Sequence, residues 1–143
     1  MASALDVAEY LLRQHGPMSA MKLQKLVYYC QAWSLVWDDR PMFGERIEAW
    51  ANGPVVPSLY NVHRRLFMVD HIPDGNPDVL DAVARETADV VLSFYGDKSA
   101  HWLSALTHEE PPWQQARGGL PDGPPCTAEI TLASMSEYYA SLA

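Results

Sequence analysis

Five histidines, His15, His63, His71, His101 and His108, are the residues best suited to acid-base or metal chemistry near neutral pH. They are scattered: no HExxH pair puts two on one helical face, and no cysteine cluster joins them, so the spacing that holds zinc is missing. Asp74, Asn76 and Asp78 imitate the opening of a calcium loop. Val79, however, stands where that loop needs glycine, and Arg85 where it needs a bidentate glutamate. The same residues read better as a helix start, with Asn76 as cap, Pro77 in the first position and Asp78 in the first turn. No phosphate-cradling loop, dinucleotide fingerprint or serine-nucleophile elbow occurs. The expectation is therefore no catalytic group, no metal and no cofactor. One enzymatic alternative stays open: a small pocket near Trp50 and His108 that holds a nucleotide or peptide, with Glu109 or Glu110 as base.

Length and composition narrow the classes further. A chain of 143 residues with 48% apolar and 20% charged side chains suits one self-standing globular domain spanning 1–143. The net charge of -8, from 18 acidic against 10 basic residues, repels a phosphate backbone and excludes nucleic acid as a direct partner. It would steer a basic protein toward the surface. Cys30 and Cys126 lie far apart without a CxxC spacing, which fits a reduced, cytoplasmic setting. Cys30 falls on an apolar helical stripe, as a buried inert thiol does. No signal-peptide pattern and no membrane-length apolar run is present, so neither export nor membrane insertion is expected.

The elements that must position any site are mostly helical. Ser3 and Asp6 form a capping box ahead of Leu5, Ala8, Leu11 and Leu12, and Gly16-Pro17 stops that helix. Ser19 caps a second helix, with Leu23, Leu26, Val27, Cys30, Trp33 and Trp37 on one face, that ends near Asp38–Pro41. Alternation over Phe43–Ala51, followed by Asn52-Gly53-Pro54, predicts short strands or a small β-hairpin within 43–56. Pro57 opens a helix with Leu59, Val62 and Leu66 on one face and Tyr60, His63 and Phe67 beside them. Asn76 starts a long helix whose Leu80, Val83, Thr87, Val90, Val91 and Phe94 keep the period up to Gly96. Asp97 or Ser99 restarts a helix, Pro111-Pro112 open a short turn, and Gly118–Pro125 is a loop. Thr131 then caps a last helix that docks through Leu132, Met135 and Tyr139. The fold class is mainly α, a single compact helical domain with a small β element.

Aromatic content is high, with five Trp and seven Tyr. Tyr28, Tyr29, Trp33 and Trp37 share the second helix. Because Leu23, Leu26, Val27, Cys30 and Trp33 already fill its inner face, Tyr28 and Lys25 are expected to point elsewhere, toward a partner. The run Gly53-Pro54-Val55-Val56-Pro57 builds a rigid corner beside Trp50, either defining the fold or meeting a partner. Trp113 after two prolines reads as a lid over the core.

These segments together resemble a known family. Met21-Lys22-Leu23-Gln24-Lys25-Leu26-Val27-Tyr28-Tyr29, then Ile47-Glu48-Ala49-Trp50 with Gly53-Pro54-Val55-Val56-Pro57 and Tyr60, are similar to the Panacea antitoxin domain, also described as SocA-like or GepA-like. Leu106-Thr107-His108 with Pro112-Trp113, and the segment Met135 to Tyr139, extend the resemblance over nearly the whole chain. It implies a mainly helical antitoxin that is not an enzyme and that neutralises a cognate protein toxin, encoded by the adjacent gene, by direct binding. A homo-oligomer or a hetero-oligomer with the toxin is compatible with it. The alternatives are a small-ligand-binding or enzymatic domain, or an adaptor that hands the toxin to a protease. The candidate toxin-binding residues are Lys25, Tyr28, Trp50, Gly53, Pro54 and Val55. Lys22, Leu23, Gln24, Tyr29, Glu48, Pro57, Tyr60, Thr107, His108 and Trp113 are motif residues of mixed structural or binding role.

Overall fold

Ser3 opens the first helix, α1 (Ala4–His15), with both halves of a capping box: its hydroxyl accepts from Asp6 N–H at 3.2 Å, and Asp6 Oδ2 accepts from Ser3 N–H at 2.8 Å. The computed structural model describes residues 1–143. Ser19 caps α2 (Ala20–Trp37) through Lys22 N–H. Proline in the first turn, rather than a side-chain cap, opens α3 (Pro57–His63). Asp81 caps α4 (Ala82–Tyr95) and Ser99 caps α5 (Ala100–Glu109). Prolines again start α6 (Pro111–Ala116), and Thr131 caps α7 (Leu132–Leu142).

The central member is α2, packed by α1, α4, α5 and α7. It is buried nearly all round, so the expected single inner stripe is corrected: Gln24, Lys25, Tyr28, Tyr29 and Gln31 are inside too, while Trp37 is exposed. Burying two glutamines on one helix requires partners for each amide. Gln31 Oε1 accepts from Met42 N–H at 2.7 Å and Phe43 N–H at 3.2 Å, and its Nε2 donates to Phe43 O at 2.8 Å. Gln24, seven residues earlier and on the same face, holds the backbone of Val56 in the same manner. The two side chains thus pin both ends of the segment that carries the β-hairpin.

That hairpin is β2 (Ile47–Trp50) with β3 (Gly53–Val55), antiparallel, with Glu48 opposite Val55, Ala49 opposite Pro54 and Trp50 opposite Gly53. Pro54 is tolerated because β3 is an edge strand. Phe43, where the sequence pattern begins to alternate, makes only an isolated bridge to Ala2. Three two-residue strands were not anticipated. Glu129–Ile130 (β5) pairs with the other edge of β2, and Met18–Ser19 (β1) pairs with Met68–Val69 (β4).

Two helices differ from their sequence expectation. Asn76 and Pro77 nucleate only a 3-10 turn, Pro77–Val79; Leu80 is extended and Asp81 starts α4 afresh. Asp81 wins because it accepts from Ala84 N–H at 2.9 Å and holds Arg40 at 2.7 and 2.9 Å. Leu80, Thr87 and Val91 point inward as expected, but Val83, Val90 and Phe94 face out, and Ala84, Ala88 and Tyr95 take their place inside. α3 stops at His63, where Leu66 N–H donates to His63 O at 2.7 Å. Leu59 and His63 go inside; Val62, Leu66 and Phe67 do not.

The last helix docks through Met135 and Tyr139, both fully buried, while Leu132 stays exposed. The result is a mainly helical domain around one hydrophobic core with a small hairpin on its side. No helix is long and apolar enough to cross a membrane.

Candidate partner-binding site

The motif residues of α2, the hairpin and α3 converge on one cleft of about 500 Å³. Met21, Gln24 and Lys25 come from α2, Trp50, Asn52 and Val55 from the hairpin, and Tyr60, His63, Arg64 and Leu66 from α3 and the turn after it. The loop segment Pro125–Thr127 closes the far side. Gln24 ties α2 to the α3 entry: its Oε1 accepts from Val56 N–H at 2.9 Å and its Nε2 donates to Val56 O at 3.3 Å. The second amide hydrogen reaches His63 Nε2 at 2.9 Å. Since that amide nitrogen can only donate, His63 Nε2 accepts and the imidazole is neutral. Burial, with the Lys25 charge adding to it, lowers the His63 pKa accordingly.

Lys25 is 1% exposed yet lines this cleft. Its ammonium makes no hydrogen bond and no ion pair, and burial alone brings its pKa down to about 8. The sequence expectation that Lys25 points away from the core is corrected in part, because the side chain is inside the fold but turned to the cleft. Gly53 is what leaves room for it. At φ +120°, a Cβ on residue 53 would lie 2.5 Å from Lys25 Cε and 2.9 Å from Thr107 Oγ1. Pro54 and Val55 continue the corner as buried residues, with Val55 still reaching the cleft.

Trp50 forms the aromatic wall. Its Nε1 donates to Glu48 Oε1 at 2.8 Å, Arg46 pairs with Glu48 at 3.0 Å, and the Tyr60 ring meets the indole edge-on with centroids 4.8 Å apart. Beneath it, Trp113 donates to Trp50 O at 2.9 Å and is sandwiched between His108, stacked at 4.1 Å, and the Arg117 guanidinium, 4.7 Å from the ring centre. Trp113 is thus the lid read from the sequence. His108 packs on that lid and is not among the residues that line the cleft, so the cleft on which Trp50 stands does not bring Trp50 and His108 together. Arg117 went unnoticed in the sequence, for it sits in no motif. Buried, it donates to Ala49 O at 3.0 Å, Pro121 O at 2.8 Å and Pro124 O at 2.7 Å, fixing the loop that closes the cleft.

Tyr28 is not on this face. It is 1% exposed and its hydroxyl bonds that of Tyr139 at 2.9 Å, so the expectation of an outward-pointing Tyr28 is corrected. Tyr139 and Tyr29 both donate to Glu110 Oε1 at 2.7 Å. Burial raises the Glu110 pKa while the two hydroxyls pull it back. Glu110 is consequently a core acceptor away from the cleft rather than a base within it. Lys22 crosses to α4, donating to Gly96 O at 2.6 Å, and Leu23 is core. No group of three or more His, Cys, Asp or Glu side chains is gathered as a metal site.

Sequence reasoning also missed an apolar rim. Met21, Val62, Leu66, Phe67 and Met68 are exposed, Phe67 to 79%. Met21 and Leu66 line the cleft, and Ala20 N–H donates to Phe67 O at 2.8 Å, which seats Phe67 and Met68 beside the start of α2. The signal was present as Leu66-Phe67-Met68, but helical periodicity assigned Leu66 to the apolar face of a longer α3 and Phe67 to the flank of that face.

The family model described as Antitoxin SocA-like, Panacea domain, matches residues 23–114. The chain belongs to the SocA-like Panacea antitoxin family. It is also 30% identical over 136 residues to Antitoxin SocA of Caulobacter vibrioides (strain NA1000 / CB15N). That alignment takes in 82% of this chain and 65% of the relative, so the chain spans about two thirds of that protein's length. No solved structure matches it. The span matched by the Panacea model holds most of the cleft, from Gln24 and Lys25 to Leu66, and ends at Gln114 just after the Trp113 lid. Met21 on the rim and Pro125–Thr127 lie outside it.

Proposed function

We propose that this chain is an antitoxin that neutralises a cognate protein toxin, encoded beside it, by binding it directly through the cleft and its apolar rim. The observation that carries the reading is exposed apolar surface beside the cleft: Met21 and Leu66 line it and are exposed, Phe67 follows Leu66 at 79% exposed with its carbonyl bonded to Ala20 of the cleft lining, and Trp50 and Tyr60 stand on the wall. Clustered exposed apolar side chains of this kind, next to polar residues, mark protein interaction surfaces. Membership of an antitoxin family supplies the class of partner.

The site is ordered before binding, since Gln24, Arg117 and the Trp113 stack hold the hairpin, so little conformational entropy is lost on docking. The chain acts stoichiometrically, in a one-to-one or symmetric higher complex, by occupying the toxin. Gly53 and Pro54 shape the corner, while Trp50, Tyr60 and Phe67 provide large rigid contact area. Co-expression with the product of the adjacent gene tests this: growth inhibition by that product, relieved by this chain and not by its Phe67→Glu variant, is the expected result. Full relief by a chain that forms no complex with the product would overturn it.

A further inference from the structure

The cleft has a charge opposite to that of the molecule around it. The chain carries 18 acidic and 10 basic residues, yet no Asp or Glu is among the residues lining the cleft, whereas Lys25 and Arg64 are. Glu48, which steadies the Trp50 wall, is already engaged by Trp50 and Arg46. Lys25 is buried without a partner of its own. Taking an ammonium largely out of water is costly, and an anion that pairs with it recovers part of that cost. The hairpin is built to keep it there, for Gly53 is the residue whose missing side chain accommodates Lys25 Cε and Nζ.

We propose that the cleft recognises a carboxylate of the partner polypeptide, which enters past Trp50 and Tyr60 and pairs with the Lys25 ammonium, with Arg64 at the mouth. This inference rests on the toxin-binding reading and names the chemistry the toxin must present: a carboxylate beside an apolar side chain, the former for Lys25 and the latter for the rim at Met21, Leu66 and Phe67. A dry ammonium-carboxylate pair lined by aromatic rings gives specificity that the apolar rim alone does not. The acidic exterior does not oppose it, since at physiological salt charges beyond about 8 Å are largely screened.

The test is a calorimetric titration of the full chain with the purified product of the adjacent gene. Lys25→Met keeps the side-chain volume and removes the charge. Met21→Glu, at a half-exposed rim position, places a carboxylate four residues before Lys25 on the same helix face and supplies the ammonium with an internal partner. The proposal expects both variants to melt cooperatively and to bind the toxin about 30-fold or more weaker than the parent chain. Asp→Asn and Glu→Gln replacements in the toxin, and a toxin extended by one residue at its C-terminus, separate a side-chain carboxylate from the terminal one. The replacement that removes the relevant group should weaken binding to the parent chain and have little further effect on Lys25→Met. Equal affinity of the parent, Lys25→Met and Met21→Glu would overturn the inference and leave the toxin-binding reading intact. Absence of any complex with the parent chain would overturn both. Inorganic phosphate that binds the free chain through Lys25, while the toxin binds Lys25→Met undiminished, would make the cleft a small-anion pocket and also overturn it.

Discussion

Gly53 and Lys25 share one volume: a side chain on residue 53 would begin 2.5 Å from Lys25 Cε. The contact joins the two most distinctive segments of the sequence, the Lys-Leu-Gln-Lys stretch of α2 and the Gly-Pro corner of the hairpin. Gly53→Ala must both strain a backbone at φ +120° and displace the lysine. It should destabilise the chain by about 2–4 kcal/mol. Urea denaturation would show this as a lower midpoint at an unchanged slope.

Lys25 makes stability depend on pH in an unusual direction. Its folded pKa, about 8, lies below the ordinary value of 10.5, so between those values the unfolded chain holds more protons and stability rises with pH. The other titratable groups on the cleft are Tyr60, His63, Arg64 and Cys126. The gain, about 3 kcal/mol in full, is offset above about pH 10, because burial raises the pKa values of Tyr28, Tyr29 and Tyr139 and the unfolded chain loses those protons first. Lys25→Met should therefore be more stable than the parent at pH 7 by about 1–3 kcal/mol and lack the rise between pH 8 and 10. Thermal melts across that range provide the check.

Core burial separates Tyr28 from the surface aromatics. Tyr28→Ala should cost about 3–5 kcal/mol, and Leu26→Ala, also fully buried, about 2–5 kcal/mol. A loss below about 0.5 kcal/mol at either position, the range of ordinary surface substitutions, would place that side chain outside.

What the sequence makes legible is what is decided within one turn of chain. Ser3 with Asp6, and Ser19, Ser99 and Thr131, cap helices because each bonds a backbone N–H three residues on. The Asn52-Gly53-Pro54 turn is equally local. Tyr28 and Lys25 were misread because α2 has neighbours on several sides, and a single helix's period does not reveal how many faces are covered. The start of α4 was misread because Asn76 and Asp81 are both competent caps, and the Arg40 pair that favours Asp81 comes from 41 residues away. Strands of two residues, such as Met18–Ser19, are too short to show a period, and without that pairing nothing marks Phe67 and Met68 as a surface feature. Of the candidate site, Lys25, Trp50 and the Gly53 corner were readable as motif. His63 as a Gln24-bound wall, Arg117 as the loop anchor and the apolar rim arise only from tertiary contacts.

The central claim is that the rim at Phe67 meets the toxin. Phe67 is 79% exposed, so Phe67→Glu should leave the melting temperature essentially unchanged, as surface substitutions away from special contacts shift stability by less than about 0.5 kcal/mol. The direct measurement is size-exclusion chromatography of the purified toxin mixed with the parent chain or with Phe67→Glu. The account predicts a stoichiometric complex with the parent chain and two separate peaks with the folded variant. Co-migration of the toxin with Phe67→Glu as with the parent chain would contradict it.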